Sequence, residues 1–323
     1  MRVREARRGD EAALLALARG LDSVNLPADP QAIDALVARS VDRATQDAVH
    51  VLVLEHEGRL VGTSMILARH GTPELPHYAL EDDGRGSLVL TAETAGVTEL
   101  GGLVLDRAHR GDRRAGRPLS LARLLFVALH RERFRDRLLA ELMPELDERG
   151  SAPLWPHLAG RSSAMSYREA DRRSREDKRF IPALFARGAV ELDSIPAPLR
   201  AALGREGRSA SPARRMLESL GLEHRGAIDP FDGGPHVEAR TDDVLARLAP
   251  RALVLSDVEA SSADASDLLV ASAEPGGFAL VRTRGVTDGA SLALEPGARA
   301  ELGLSSGARV LAAAPSGAST SMQ

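Results

Sequence analysis

A helix, a strand and a glycine turn succeed one another between residues 211 and 235, and this order constrains the fold more than any other stretch. Residues 211–222 carry a Ser-Pro pair where a helix would begin, apolar residues at helical spacing, and Gly221 where a left-handed helix stop is needed. From Ile228 the chain enters Asp-Pro-Phe-Asp-Gly-Gly-Pro, a turn at which the backbone can approach a ligand closely. The pattern predicts a helix, then a strand, then a candidate binding turn.

The length and the absence of cysteine set further limits. A chain of 323 residues, at about 150 residues per domain, predicts two domains. With no cysteine, a disulfide framework, a thiolate zinc site and a cysteine nucleophile are excluded. Any group-transfer chemistry is therefore expected to be direct, without a cysteinyl intermediate.

Charge and hydropathy exclude two classes of partner. The net charge is -4 with both signs spread along the chain, which leaves no large basic field for nucleic acid. Lys178 is the only lysine, so an arginine here is a weaker sign of anion recognition than in a lysine-rich chain. No run approaches the roughly 20 apolar residues of a membrane span, and Met1–Glu5 contains no signal-peptide core. We expect a soluble, cytoplasmic protein with no membrane or nucleic-acid partner.

Hydrophobic periodicity predicts alternating helices and strands up to about residue 243. The helix over 118–134 is apolar almost all round, which predicts that it lies against a sheet under further cover. The remaining predicted elements are strands at 2–6, 49–54, 60–67, 98–106 and 138–143, helices at 10–19, 30–42, 152–204 and 212–220, and an inserted loop or small hairpin at 70–94.

From about Val244 the residue pattern changes to short runs of strand-forming residues separated by Gly, Ser, Asp and Pro. This spacing is typical of a small β barrel or sandwich. Residues 298–310 give a short helix, a glycine turn and a strand, as in the repeat unit of double-psi barrels. We predict domains at 1–243 and 244–315, followed by a disordered tail at 316–323.

The first of these regions resembles the acyl-CoA core of the Gcn5-related N-acetyltransferase (GNAT) superfamily and, within it, the arginine N-succinyltransferases. The resemblance covers roughly residues 2–245, and its most specific part is the Phe-Asp-Gly-Gly-Pro turn at 231–235. It implies an α/β fold with a GNAT-like mixed sheet flanked by helices, before the smaller barrel-like all-β domain. The segments that carry it are Leu26-Pro27, Glu99-Leu100, Leu105-Asp106, Ala140-Glu141, Asp147-Glu148, Pro153-Leu154-Trp155, Ala170-Asp171, Pro212-Ala213-Arg214, Leu217-Glu218 and Ile228-Asp229.

This family resemblance implies an acyl-CoA-dependent N-acyltransferase that moves a succinyl group from succinyl-CoA to the α-amine of arginine or ornithine, in arginine catabolism. It also implies a small amino-acid substrate and a homo- or hetero-oligomer. Two alternatives stay open: a non-catalytic subunit that pairs with an active succinyltransferase, and an N-acyltransferase for a different amine. The first is motivated by departures from the family pattern, namely Gly207 at the position of the family's proton-donor histidine, Met143-Pro144 in place of Arg-Gly, and Arg114 in place of a glycine.

The chemistry requires a base, because an α-amine titrates near 8 and must lose a proton during attack on the thioester. Glu99 opens the central strand, where superfamily members often carry a carboxylate, and is the predicted base; the alternative is a salt-bridged strand-end residue. His224 or His236 could replace the missing histidine, and His224 is the one we select. Asp229 and Asp232 are predicted to bind the guanidinium, unless their carboxylates only close the turn.

Coenzyme A binding is predicted on the central strand and the turn after it. Backbone N–H groups would stabilise the oxyanion, and the start of the following helix would hold the pyrophosphate, with arginines adding charge. No metal site is predicted, because the acidic pairs lack histidines at ligand spacing. The predicted coenzyme residues are Leu103, Val104, Leu105, Arg110, Arg113, Gly116 and Arg117.

Overall fold

The protein is described by a computed structural model that covers residues 1–21, 26–42, 49–175, 177–261, 264–273 and 277–315. The predicted disordered tail at 316–323 lies outside these residues. The chain forms two compact units built from separate segments. The first unit comprises Met1–Ala68, Leu100–Phe134 and Asp242–Gln323, and the second comprises Arg69–Glu99 and Arg135–Thr241.

The described strands are β1 Arg2–Glu5, β2 Val49–His56, β3 Arg59–His70, β4 His77–Asp82, β5 Ser87–Glu93, β6 Val97–Leu105, β7 Arg137–Glu141, β8 Val190–Glu191, β9 Glu223–Ile228, β10 Pro235–Arg240, β11 Arg251–Glu259, β12 Ser266–Ser272, β13 Ala279–Asp288, β14 Ser291–Leu294 and β15 Arg309–Ala313. The described helices are α1 Glu11–Leu21, α2 Pro30–Val41, α3 Gly116–Leu129, α4 Tyr167–Ser174, α5 Ile181–Leu184, α6 Ala197–Arg200, α7 Ser211–Ser219, α8 Thr241–Leu248 and α9 Ala298–Leu302.

Helix α3 is the buried centre of the first unit, as its apolar circumference predicts. Its residues 118–127 are all buried, including Arg123, whose guanidinium donates to backbone carbonyls of Ser120 and Gly101. Those hydrogen bonds satisfy a charge that burial would otherwise make costly. Strands β1, β2 and β3 pair antiparallel in that order within this unit.

The C-terminal strands close into a five-stranded ring, which confirms the predicted barrel. Strand β12 pairs with β15, β15 with β11, β11 with β14, β14 with β13, and β13 again with β12. Side chains that alternate inward fill the ring, among them Leu253, Val270 and Val281. The ring belongs to the first unit, and a separate domain boundary at residue 243 stays a prediction.

The second unit is built on a mixed sheet in the order β6, β7, β10, β9, β4, β5, β8. Strands β6 and β7 run parallel, with Thr98 opposite Leu138, and the other neighbours are antiparallel. The uncertain segment at 70–94 contains the β4–β5 hairpin, which joins the sheet through β9. The hairpin is therefore part of the scaffold.

The prediction of helices throughout 152–204 is only partly correct. The structure has three short helices there, α4 to α6, together with strand β8 and short 3-10 turns. Pro153, Pro156, Pro182 and Pro196 recur through the segment, and proline both removes a backbone donor and disfavours helix in the residue before it. The segment is held instead by side-chain packing around Trp155.

Helix α7 ends as the sequence predicts. Gly221 has a φ of +89°, its N–H bonds the carbonyl of Glu218, and the N–H of Leu222 bonds the carbonyl of Leu217. This pair of hydrogen bonds is the Schellman motif. Strand β10 and helix α8 were not predicted. Among the described residues, no helix combines the length and apolar character needed to cross a membrane.

Candidate active site

Strand β6 changes conformation directly before the residues predicted to meet the acyl group. Gly102 has a φ of +59°, and a Cβ there would lie 2.5 Å from Cγ of Met65. The hydroxyl of Thr63 donates to the Gly102 carbonyl at 3.1 Å. Only glycine satisfies both the dihedral angle and the space, so the backbone at Leu103–Leu105 follows an irregular step in the strand.

Residues 110–117, here called the arginine loop, lead from β6 to α3. Arg110 and Arg113 are exposed. Arg114 is 78% exposed, with its Nε 3.5 Å from Oδ1 of Asp112. Its side chain therefore extends into solvent. Helix α3 begins at Gly116 without a side-chain cap, so the loop presents positive charge at a helix N-terminus.

The structure adds an arginine to this loop from the barrel. Nη1 of Arg282 in β13 donates to the Arg113 carbonyl at 3.3 Å, while its Nε pairs with Asp267 at 3.0 Å. Arg117 donates through Nε to the Pro315 carbonyl. Burial, together with the charges of Arg113 and Arg282, lowers the pKa of Arg117. No local pattern in the sequence predicts that residue 282 lies beside this loop.

A second group of polar residues, here called the histidine cluster, lies in the second unit. Glu141 of β7 and His236 of β10 are cross-strand partners, and Glu99 of β6 pairs with Leu139, two residues from Glu141. Because side chains two residues apart share a face of a strand, these groups lie on the same face of the sheet. The cluster consists of His70, His77, Glu99, Glu141, Lys178 and His236.

Glu99 is held at one end of the cluster. Its Oε2 lies 3.1 Å from Nδ1 of His70, and its side chain is 14% exposed. Nζ of Lys178 lies 3.1 Å from Nε2 of the same histidine. Burial, and then the Lys178 charge, lowers the pKa of His70 well below its usual range, so this imidazole is neutral at physiological pH.

The other end of the cluster brings two more histidines to Glu141. Nδ1 of His77 lies 2.9 Å from Nε2 of His70 and 3.3 Å from Oε1 of Glu141. Nε2 of His236 lies 4.0 Å from the same oxygen and has no hydrogen-bond partner among the described residues. Burial lowers the pKa of His236 to about 4 and raises that of the Glu141 carboxyl.

Asp229 and Asp232 close the glycine turn. Oδ1 of Asp229 accepts the N–H groups of Phe231 and Asp232 at 2.7 and 2.9 Å, and Oδ1 of Asp232 accepts the Gly234 N–H at 2.7 Å. Tyr167 donates to Oδ2 of Asp232 at 3.0 Å. Burial raises the pKa of Asp229 to about 6 and that of Asp232 well above its usual range. These contacts give both carboxylates a structural role in the turn. Binding of the guanidinium by Asp229 and Asp232 stays a prediction.

His224 and Gly207 occupy different surroundings in the second unit. Nδ1 of His224 lies 3.0 Å from the backbone carbonyl of His236, which ties its ring to β10. At Gly207, a Cβ would lie 2.8 Å from the Pro144 carbonyl oxygen and 2.9 Å from N of Glu145. The backbone leaves no space there for a side chain, so Gly207 and the Met143-Pro144 segment depart from the family pattern as one packed contact.

A cavity of about 270 Å³ opens beside the histidine cluster on the same sheet face. His77 and His236 line it together with Glu81, Thr91, Glu93, Arg137, Arg225 and Glu238. Arg137 pairs with Glu93 at 3.0 Å and with Glu238 at 3.2 Å. Charged side chains therefore line part of the cavity, and the cavity adjoins the buried imidazoles.

The cluster contains residue types that can hold a metal ion. Two trios bring candidate ligand atoms within 4.8 Å of one another: His70, His77 and Glu141, and Glu141, Asp229 and His236. A cation at the first trio would have to displace the Lys178 ammonium from Nε2 of His70. Since like charges repel strongly at such distances, we interpret the cluster as a hydrogen-bonded network.

Sequence reasoning missed His70, His77, Glu141 and Lys178 as members of one site. The cluster joins five strands and a loop whose positions along the chain range from 70 to 236. No local spacing pattern links them. The one available signal was the unique lysine in a chain otherwise supplied with arginine.

The fold and the family match define a class of protein: an acyl-CoA-dependent N-acyltransferase of GNAT-like fold. A family model described as "Arginine N-succinyltransferase beta subunit" matches residues 1–246. The chain belongs to this family.

Individual relatives agree with that membership. The "Arginine N-succinyltransferase" of Yersinia enterocolitica is 32% identical over 287 residues, 80% of this chain and 82% of the relative. The "Arginine N-succinyltransferase subunit beta" of Pseudomonas aeruginosa is 30% identical over 97% of both chains. The solved structure of "arginine/ornithine succinyltransferase subunit AI" from the same species matches the fold with a TM-score of 0.81 at 24% identity, covering 97% of this chain and 98% of that one.

Proposed function

We propose that this protein transfers a succinyl group from succinyl-CoA to the α-amine of arginine or ornithine, as a step of arginine breakdown in the cytoplasm. The observation that carries the proposal is the 32% identity to an arginine N-succinyltransferase over 80% of the chain. The absence of cysteine favours direct transfer.

In the proposed reaction, Glu99 takes a proton from the acceptor ammonium, directly or through water. The amine nitrogen then attacks the thioester carbonyl carbon, and a C–N bond forms. Backbone N–H groups at Leu103–Leu105 stabilise the oxyanion. The intermediate collapses as the C–S bond breaks, the nitrogen loses its second proton to solvent to give the amide, and the coenzyme A thiolate takes a proton from solvent. Glu99 suits this role because it is a largely buried carboxylate already held by His70.

Coenzyme A is proposed to bind at the arginine loop. The exposed Arg110 and Arg113 supply charge for its phosphates, and the N-terminus of α3 adds the positive end of its helix dipole. Arg117 contributes more to holding the loop, because its Nε already bonds Pro315. His224 remains the proposed substitute for the family histidine.

Asp229 is the better candidate of the turn carboxylates for the acceptor guanidinium. Its pKa of about 6 leaves it mostly ionised at neutral pH, whereas Asp232 is buried against Tyr167 with a more strongly raised pKa. An ionised carboxylate is the partner that a guanidinium requires.

The experiment combines thermal shift with thiol release. Succinyl-CoA, acetyl-CoA and free coenzyme A are compared as stabilising ligands, and thiol release is then followed with arginine, ornithine and lysine as acceptors. We expect stabilisation by each coenzyme and release that is fastest with succinyl-CoA plus arginine or ornithine. Release with another amine only would change the acceptor. Stabilisation without any thiol release would favour a non-catalytic subunit. That alternative is suggested by Gly207, which is packed too closely to carry a side chain.

The protein is also proposed to act as an oligomer, because the family is named for a subunit. Light scattering coupled to size exclusion measures the mass of the purified chain. A mass near 34.3 kDa would mean a monomer and would contradict the proposal.

A further inference from the structure

Lys178 is the only lysine in the sequence, and its ammonium contacts a histidine of the histidine cluster. Every other residue in the total of 42 lysines and arginines is arginine. Lysine differs from arginine in carrying a compact ammonium with three donors in place of a planar fork. Lys178 is half-buried and directs that ammonium at an imidazole in the histidine cluster.

The contact between Lys178 and His70 fixes the proton on the imidazole. An ammonium can only donate a hydrogen bond, so Nε2 of His70, 3.1 Å from Nζ, must be the accepting nitrogen. The ring proton then resides on Nδ1, which faces Oε2 of Glu99 at 3.1 Å. His77 is compatible with this arrangement, because its Nδ1–H can point toward Oε1 of Glu141 at 3.3 Å.

We propose that Lys178 and His70 are positioning residues for Glu99. The Lys178 ammonium holds His70 as its neutral Nδ1–H tautomer. The His70 imidazole in turn holds the Glu99 carboxylate in the orientation that takes a proton from the substrate amine. The proposal rests on the proposed function, in which Glu99 is the base. Its geometry is a continuous path of two 3.1 Å contacts, from the only lysine to His70 and from His70 to the carboxylate.

The surroundings of His70 keep its ring neutral. The groups that face it are Lys178 from the loop after α4, Glu99 from β6, His77 from β4 and, at longer range, His236 from β10. Burial acts first and the Lys178 charge second to lower its pKa. Without the ammonium, the neighbouring Glu99 would favour the imidazolium.

The experiment follows thiol release against pH in wild type and in Lys178→Met, Lys178→Arg, His70→Gln and Glu99→Gln. Histidine ¹⁵N NMR is recorded for wild type and Lys178→Met, with His70→Gln to assign the His70 signal. His157→Gln, a histidine outside the cluster, is the matched control. Each variant is first checked for thermal stability.

We expect Lys178→Met to lower kcat by about tenfold at pH 7, with the KM for acyl-CoA unchanged, because the base is no longer held in place. The acidic limb of the pH–rate profile of Lys178→Met should move to higher pH. The midpoint of the His70 titration in this variant should rise by about one pH unit or more. Lys178→Arg should restore the charge without the geometry and recover only part of kcat.

Two outcomes would overturn the proposal: a wild-type pH profile in Lys178→Met, or NMR showing the His70 proton on Nε2. Loss of activity on treatment with a chelator would assign the cluster to metal binding and would also overturn it. Full turnover in Glu99→Gln would instead remove Glu99 as the base of the proposed function. The NMR arm needs no turnover, so it tests the tautomer even if the protein proves inactive.

Discussion

The arginine loop and the histidine cluster place charge in opposite ways. In the loop, Arg110, Arg113 and Arg114 reach solvent, and the ion pair at Arg114 is long and exposed. In the cluster, three imidazoles, two carboxylates and one ammonium contact one another at distances of 2.9 to 4.0 Å, and the imidazoles of His77 and His236 are buried. Exposed charges are screened by salt, whereas enclosed groups respond mainly through their protonation.

This difference separates two kinds of experimental response. We expect the loop to make coenzyme binding sensitive to ionic strength and nearly indifferent to pH between 6 and 8, because arginine does not titrate there. We expect the cluster to make turnover and stability sensitive to pH and nearly indifferent to salt. A variant in either region that responds in the other manner would break the contrast.

The largest expected effect is that of Glu99→Gln in the cluster. Removing a general base should lower kcat by about 100-fold or more while the affinity for acyl-CoA stays within about twofold, since the amide keeps the shape but cannot take the proton. Stopped thiol-release assays and calorimetric titration measure the two quantities. Glu148→Gln, an exposed carboxylate in the second unit, is the control. Unaltered turnover would exclude Glu99 as the base.

The second effect is the acid sensitivity that His236 gives to folding. Its pKa is about 4 in the folded protein against 6.5 for a free imidazole, so the unfolded chain binds more protons between these values. Stability is therefore lost as pH falls through this window, by about 2 kcal/mol between pH 7 and pH 5 from this residue. Asp229, with its raised pKa, contributes with the opposite sign.

The test is the difference in unfolding free energy between wild type and His236→Gln, measured by urea denaturation at both pH values. We expect the variant to lose less stability on acidification, and His157→Gln to behave as wild type. Equal acid sensitivity in wild type and His236→Gln would show that His236 is not buried in its neutral form.

The two regions also differ in how far the sequence could predict them. The loop lies within eight consecutive residues after a strand, so its charge and its helix start are visible locally. The cluster depends on strand order and register: Glu141 meets His236 only because β7 and β10 pair with those residues opposite. Pairing between strands about 95 residues apart is set by global packing, which local propensity does not encode.

The same distinction explains the fold predictions. The helix at 30–42, the hairpin at 49–67 and the barrel strands have strong local periodicity or turn signals, and the structure has them within a few residues. Strand β10 was missed because its buried positions include a histidine, His236, which looks polar in sequence. The helices expected over 152–204 are shorter than predicted because five prolines lie in this segment.

The third prediction concerns two glycines with different surroundings, Gly111 in the arginine loop and Gly207 in the second unit. Around Gly111 in the arginine loop nothing lies within 4 Å of a Cβ position, whereas at Gly207 a Cβ would meet the Pro144 carbonyl at 2.8 Å. Gly207→Ala should destabilise the protein by about 1–3 kcal/mol, because backbone cannot move aside cheaply. Gly20→Ala, at an open helical position, should be neutral or stabilising. Differential scanning fluorimetry compares them, and an unchanged Gly207→Ala melting temperature would contradict the packing.

The smallest effect is expected from Arg113→Ala in the arginine loop. One exposed arginine among several contributes modestly to phosphate binding, so the KM for acyl-CoA should rise by about three- to tenfold with kcat unchanged. The ratio of variant to wild-type KM should shrink as salt is raised from 50 to 500 mM. Salt screens the contact between Arg113 and phosphate in the wild type, so its absence from the variant then matters less. Arg59→Ala, exposed on the β2–β3 turn of the same unit, controls for general charge. A KM ratio that does not change with salt, or an equal effect in Arg59→Ala, would mean that phosphate is not bound at the arginine loop. The contrast between a salt-sensitive loop and a pH-sensitive cluster would then be wrong for the loop.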